Sequence, residues 1–235
     1  MRVLIIGDSH TGALKRGLAL GPSPEGIAIE VAPLGLGAQM NQPFWEDRGD
    51  HAVLLDPQYA ALVPRLPPAD PRPDAIGLSL PLWSGRLIRV LVESWLVPYG
   101  AEGPGRRLSG ALLRRLVQQD MAQIMALTRF LQGQGLPLFV IEAPRAFRVH
   151  RSVVLRGADF VLTMQRQIRA IQAAEIAALG LPIVYLPDSA LDPDGFMSDR
   201  YAHEDPADTH HANAAFGALM IERSLPVMRQ ILQPA

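Results

Sequence analysis

Ser9, Asp208 and His211 are the residues whose types and spacing could act together chemically. A free serine hydroxyl is a poor nucleophile at neutral pH and needs a neighbouring base. Histidine is the usual base, and a carboxylate behind it fixes the ring's tautomer and stabilises the imidazolium that forms. Asp208 stands three places before His211, in Asp208-Thr209-His210-His211-Ala212-Asn213, at a turn entering the last helix. Ser9 directly follows the first strand, in Ile5-Ile6-Gly7-Asp8-Ser9-His10, with Gly7 free to turn the chain. At a helix start its own N–H is unpaired and available to a developing oxyanion. The corresponding chemistry is acyl transfer through a covalent acyl-enzyme. Ser9 and Asp208 are equally good helix caps, and on local evidence alone both roles stand.

The two chain ends share a cleft only if the elements between them form a suitable sheet. Val3–Ile6 is a short run of branched apolar residues, as in a strand buried on both faces. Further strands are expected at Ile27–Ala32, Asp74–Leu80, Leu138–Ile141 and Ile183–Leu186. Helices are expected at Thr11–Leu20, ended by Gly21-Pro22, and at Leu87–Val97, Leu108–Leu131, Ala158–Leu179 and Ala212–Leu232. Pro226 should kink or split the last of these. Leu112, Leu116, Ile124, Leu127 and Leu131 mark one face of the long helix, and Phe160, Met164, Ile168 and Ile171 a stripe on the next. Ala52–Asp56 and Tyr59–Val63 read as a small hairpin, and the proline-rich Pro64–Pro73 is non-helical.

This alternation argues for an α/β chain with a mostly parallel sheet of about five strands and helices on both faces. Right-handed crossovers then bring the loops after Ile6, Ala32, Leu80, Ile141 and Leu186 to one edge, where active sites of open α/β sheets form. No repeat or linker interrupts the chain, so residues 1–235 read as one domain.

Gly7-Asp8-Ser9 after the first strand resembles the first signature block of SGNH/GDSL hydrolases. Asp208-Thr209-His210-His211-Ala212-Asn213, with Phe216-Gly217 after it, is similar to that family's last block. The resemblance implies a three-layer α/β/α, flavodoxin-like fold spanning the chain. It implies a serine hydrolase of carboxylic esters, with Ser9 as nucleophile, His211 as general base and acid, and Asp208 as its orienting partner. The family's three-residue spacing prefers His211 over His210. The family also completes its oxyanion hole with a glycine and an asparagine. Leu34-Gly35-Leu36-Gly37-Ala38 offers Gly35 and Gly37, of which Gly37 is preferred, although an ordinary glycine-rich turn explains both equally well. Where the asparagine is expected, the chain has Ser79-Leu80-Pro81-Leu82-Trp83-Ser84. Asn41 or Ser84 is the candidate substitute. This departure leaves acyl transfer to a carbohydrate hydroxyl as an alternative activity on the same triad.

Other residues have plainer readings beside functional ones. His10 reads as a cleft or structural residue. Trp83 and Trp95 suit either an acyl or sugar pocket or the core. Arg145, Arg148, His150 and Arg151 follow the fourth strand and could hold an anionic group, or form a solvated loop. His203, Glu204, Asp205, Asp208, His210 and His211 are all metal-ligand types but lack a familiar ligand spacing, so no metal or other cofactor is expected. Ser9-His10-Thr11-Gly12 also resembles a flavodoxin phosphate loop, which would make the chain a binding module, but Leu14 replaces the final threonine.

Composition narrows the field further. A net charge of −1 provides no global field for nucleic acid. With no cysteine, disulfides and thiolate chemistry are excluded. The apolar start at Met1–Ile6 is too short for a signal peptide, and no apolar run is long enough to span a membrane. A cytoplasmic protein acting on a small-molecule or carbohydrate ester is the resulting expectation; the sequence is silent on oligomeric state.

Overall fold

The structure is a computed structural model describing residues 1–21 and 24–233. Pro22, assigned above to the stop of the first helix, lies outside them. The chain begins with β1 (Arg2–Gly7), α1 (Thr11–Leu18) and β2 (Ala28–Pro33). A short ribbon and helix follow: β3 (Trp45–Asp47), β4 (Ala52–Leu54) and α2 (Pro57–Leu62). Next come β5 (Ala75–Ser79), α3 (Gly85–Glu93), β6 (Leu96–Pro98), β7 (Arg106–Leu108) and the long α4 (Gly110–Gly133). The last third holds β8 (Leu138–Ile141), α5 (Arg151–Arg156), α6 (Ala158–Ala177), β9 (Ile183–Val184) and α7 (Ala214–Ile231).

The five main strands form one parallel sheet in the order β2-β1-β5-β8-β9. This is the flavodoxin-like order, with its topological switch between β1 and β5. Side chains alternate across β1 because successive residues of a strand face opposite sides. Val3 and Ile5 join α1 and α7 in one apolar cluster with Leu14, Phe216 and Met220. Leu4 and Ile6 join the other cluster, under α3, α4 and α6, with Leu87, Ile124 and Met164. The result is three layers, α/β/α, as expected from the pattern of elements. On the first face α1 and α7 pack backbone to backbone. A Cβ added at Gly217 would overlap the Ala13 carbonyl, and one at Gly17 the backbone of Ala218.

Several local expectations are corrected. Ala52–Leu54 pairs antiparallel with Trp45–Asp47 rather than with Tyr59–Val63. Residues 57–62 are helical, because Asp56 accepts from the Gln58 N–H at 2.9 Å and Pro57 takes the first helical position. The helix expected to reach Val97 stops at Glu93, and Trp95 takes a positive φ of 53° before β6. In α4 Ile124, Leu127 and Leu131 of the expected face are buried, but Leu112 is exposed and Leu116 half-buried, their places taken by Leu113, Val117 and Met121, so the N-terminal half of the face is rotated by about one residue. The helix α7 continues through Pro226. The fifth main strand has only two residues. Gly7 does not take a positive φ; it is required by close approach, since a Cβ there would lie 2.6 Å from the Ser79 carbonyl. Among the described residues, no helix is long and apolar enough to cross a membrane.

Candidate active site

Ser9 lies just beyond β1, one residue before the His10 cap of α1. Its hydroxyl does not cap the helix. Ser9 Oγ instead lies 2.9 Å from His211 Nε2, across 202 residues of sequence. On the other side of the ring, His211 Nδ1 is 2.7 Å from Asp208 Oδ2. An ionised carboxylate only accepts, so Nδ1 carries the proton and Nε2 presents its lone pair to the serine hydroxyl. Asp208 is not a helix cap either. Its Oδ1 accepts the backbone N–H groups of His210 and His211 at 3.2 and 3.0 Å, folding the loop so that the ring faces Ser9. The cap of α7 is Asn213, whose side chain accepts from Phe216 N–H at 3.2 Å and donates to Arg200 O at 2.8 Å. Arg16 of α1 donates to Ala212 O at 3.1 Å, fastening the histidine loop to the helix that follows Ser9.

The electrostatics are those of a neutral imidazole backed by a carboxylate. Burial pushes His211 below the ordinary histidine value, and neighbouring His10 adds to this, while Asp208 opposes both. Asp208 itself would be raised by burial, but the backbone and ring N–H groups of His211 hold it well below the carboxylate range. His210 stacks at 3.9 Å, centroid to centroid, on His211, and burial pushes it down to about 4. Asp208, His210 and His211 are also the one group of potential metal ligands brought together among the described residues. Asp208 Oδ2 is already committed to His211, and His203, Glu204 and Asp205 are not part of that group.

Beneath the serine lies a second aspartate–histidine pair that spacing did not reveal. Asp8, buried, accepts from both the backbone N–H and the ring Nδ1 of His10, each at 2.9 Å. His10 is only 2% exposed, so it supports the site from below rather than lining an open cleft. Its ring sits 4.8 Å from Trp83 and 4.9 Å from His211. Thr11 spends its hydroxyl on Asp8 O at 2.6 Å and is buried, which removes it from any phosphate loop.

Of the two glycine candidates, Gly37 is the one at the serine turn. A Cβ there would meet Asp8 Oδ2 at 2.6 Å and the Trp83 ring at 2.7 Å, whereas at Gly35 it would meet Met40. Arg86 holds Gly37 in place. Its guanidinium pairs with Asp120 through Nε at 2.7 Å and Nη2 at 2.8 Å, and its Nη1 donates to Gly37 O. Both partners are buried, 34 positions apart on α3 and α4. No sequence motif signals such a pair; the one hint is an arginine among the apolar positions of α3. Asn41 follows the single turn that starts at Gly37, and Ser84 is buried at the start of α3; neither side chain has a hydrogen bond among the described residues. Trp95 is exposed beside Arg156, away from both core and cleft.

The basic loop divides. Arg148 pairs with Asp192 and Asp194 at 2.7 and 2.6 Å. Arg145 turns inward, its Nε 3.1 Å from the buried Glu142, which also pairs with Arg169. Glu142 Oε2 accepts Leu186 N–H at 2.8 Å, tying the ends of β8 and β9 together. Burial pushes Arg169 down to about 9. His150 and Arg151 remain beside the cleft.

No family model matches the sequence, and no curated protein does. Solved structures match in shape. A Bacteroides fragilis NCTC 9343 protein described as an acylhydrolase superposes with a TM-score of 0.55 at 10% identity, covering 99% of this chain and 88% of its own. A carbohydrate acetylesterase family member from Sinorhizobium meliloti gives 0.52 at 14% identity, covering 99% of both chains. A GDSL-like lipase from Bacteroides thetaiotaomicron VPI-5482 gives 0.51 at 10% identity, covering 98% and 87%. The chain therefore has the three-layer fold of GDSL-type lipases and acylhydrolases.

Proposed function

We propose that the chain, as one domain over residues 1–235, is a serine esterase. The observation that carries this reading is the continuous contact Asp208–His211–Ser9, at 2.7 and 2.9 Å, between the two ends of the chain. In the proposed cycle His211 Nε2 takes the Ser9 proton as Oγ attacks the ester carbonyl. The oxyanion is received by the N–H groups of Ser9 and Gly37, neither of which has a backbone acceptor among the described residues. His211 then returns the proton to the departing alcohol, leaving an acyl group on Ser9. Water, deprotonated by His211, releases the carboxylic acid by the same route. Asp208 stays ionised throughout. Short acyl esters on small alcohols or sugars are the first class to test, in keeping with the acetylesterase among the structural neighbours.

The test is turnover of 4-nitrophenyl acetate by the wild type and by Ser9→Ala. The reading requires hydrolysis that the substitution reduces to background; equal rates in both proteins would refute it.

A further inference from the structure

Beyond the triad, His210 forms a wall shared by two adjoining cavities. The smaller, of about 20 Å³, lies among Trp83, Ser84, Arg145 and Gln165; the larger, of about 160 Å³, among Glu93, Arg151 and Thr209. Arg89, His150 and His210 line both, so the two adjoin, and His210, 3.9 Å from the His211 ring, sets them beside the catalytic histidine. Its charge is one-sided. The lining carries Arg89, Arg145 and Arg151 against a single carboxylate, Glu93. Among the described residues, Arg89, Arg151 and Glu93 take part in no ion pair. Arg145 offers only its Nε to Glu142, whose charge is already shared with Arg169, so its terminal nitrogens are uncommitted. Two other acids act nearby: Asp188, exposed, whose charge reaches Arg145, and Asp208, whose Oδ1 lies 3.2 Å from His210 Nδ1 and which is already committed to His211.

The uncharged lining also donates. His150 Nδ1 accepts the Ser152 N–H at 3.2 Å, which leaves the proton on Nε2. Burial and the Arg89 charge hold His150 below the ordinary histidine value, so it stays a neutral donor. Three guanidiniums and an imidazole N–H around a small recess match the acceptor-rich face of an oxyanion, because guanidinium forks pair with carboxylate, sulfate and phosphate.

Taking Ser9 as the nucleophile proposed above, we propose that this recess is an anion subsite. The ester cleaved at Ser9 would then carry a carboxylate, sulfate or phosphate group, held by Arg89, Arg145 and Arg151 while its carbonyl meets the hydroxyl.

The test compares esters matched in shape and different in charge. On the alcohol side the set is 4-acetoxybenzamide, 4-acetoxybenzoate and 4-acetoxybenzenesulfonate. On the acyl side it is 4-nitrophenyl methyl succinate and 4-nitrophenyl hydrogen succinate. The readout is the ratio of kcat/KM, anionic over neutral, so that any general loss of rate cancels. The wild type should prefer the anion in at least one set by about tenfold or more, the worth of one charge-assisted hydrogen bond. Arg89→Gln/Arg151→Gln, changed at exposed positions, should bring the ratio close to one, and added salt should lower it in the wild type. Carboxylate against sulfonate separates a planar oxyanion from a tetrahedral one, the shape that sulfate and phosphate share. Ratios near one in both sets, or a preference that survives the double substitution, would overturn the subsite. If no ester is turned over, the serine reading has failed on its own, and the subsite is judged by titration with 4-hydroxybenzoate and 4-hydroxybenzamide. Binding of the anion alone, lost in the double variant, supports the subsite; equal or absent binding of both overturns it.

Discussion

Asp208→Asn is the perturbation whose consequence follows most closely from the geometry. The carboxylate makes three hydrogen bonds at once, Oδ1 with two backbone N–H groups and Oδ2 with His211 Nδ1 at 2.7 Å, and Oδ1 also lies 3.2 Å from His210 Nδ1. An amide has one acceptor oxygen. If that oxygen keeps the backbone N–H groups, the NH₂ faces Nδ1 and forces the proton of the ring onto Nε2. The ring then donates to Ser9 Oγ and cannot act as its base. If the amide turns over, the backbone N–H groups lose their acceptor and the loop loses what aims the ring. In either case the imidazolium formed during attack loses its counter-charge. For charges about 4 Å apart at an effective dielectric of about 20, that interaction is worth about 4 kcal/mol, or about 10³ in rate. Adding the wrong tautomer brings the expected fall in kcat to about 10³–10⁴, in line with serine triads generally. Steady-state hydrolysis of 4-nitrophenyl acetate measures it, with circular dichroism to show the variant folded. A folded variant that retained more than about a tenth of wild-type kcat would refute the role given to Asp208.

His211 must be neutral to accept the serine proton, and its pKa is lowered, so its deprotonation is complete at a lower pH than for an ordinary histidine. The acid limb of kcat/KM should therefore rise with pH and inflect below about 6.5; an inflection at or above that value contradicts the burial argument. Arg86→Lys keeps the charge but loses the two-pronged fork on Asp120 and the aim of the contact to Gly37. It should lower kcat by about 10–100-fold with little change in KM, a fraction of what loss of an oxyanion donor costs; an unchanged kcat in a folded variant removes Arg86 from the site. Gly217→Ala places a methyl on the Ala13 carbonyl and must push α1 and α7 apart. It should cost about 1–3 kcal/mol and lower Tm by several degrees, readable by calorimetry; an unchanged Tm contradicts the packing described.

The parts of the site legible in the sequence were those carried by local spacing at a strand or helix end. Ser9 follows a four-residue apolar strand, and Asp208 and His211 share one turn, so topology alone brings them to the same sheet edge. The sheet itself was legible because its strands are short, mostly apolar and separated by helical periods. What escaped notice depends on contacts between remote elements. Arg86 and Asp120 meet across two helices, and apart from an arginine set among apolar positions nothing in either neighbourhood announces the partner. The Asp8–His10 pair is local, but its burial follows from Trp83 and Gly37 closing over it. The missed α2 is a different case, since Asp56 followed by Pro57 is a helix start that the apolar runs around it obscured. In α4 an apolar residue sits beside the buried stripe at Leu112, and periodicity could not choose between neighbouring faces until the sheet was in place.

The account rests on Ser9 being a nucleophile activated by His211. The most direct measurement is labelling of the intact protein with a fluorophosphonate, followed by mass spectrometry of its peptides, for the wild type and His211→Ala. The account predicts one adduct, on Ser9, whose rate of formation falls by orders of magnitude without the imidazole. A label on another residue, no label at all, or equal labelling of the two proteins would contradict it.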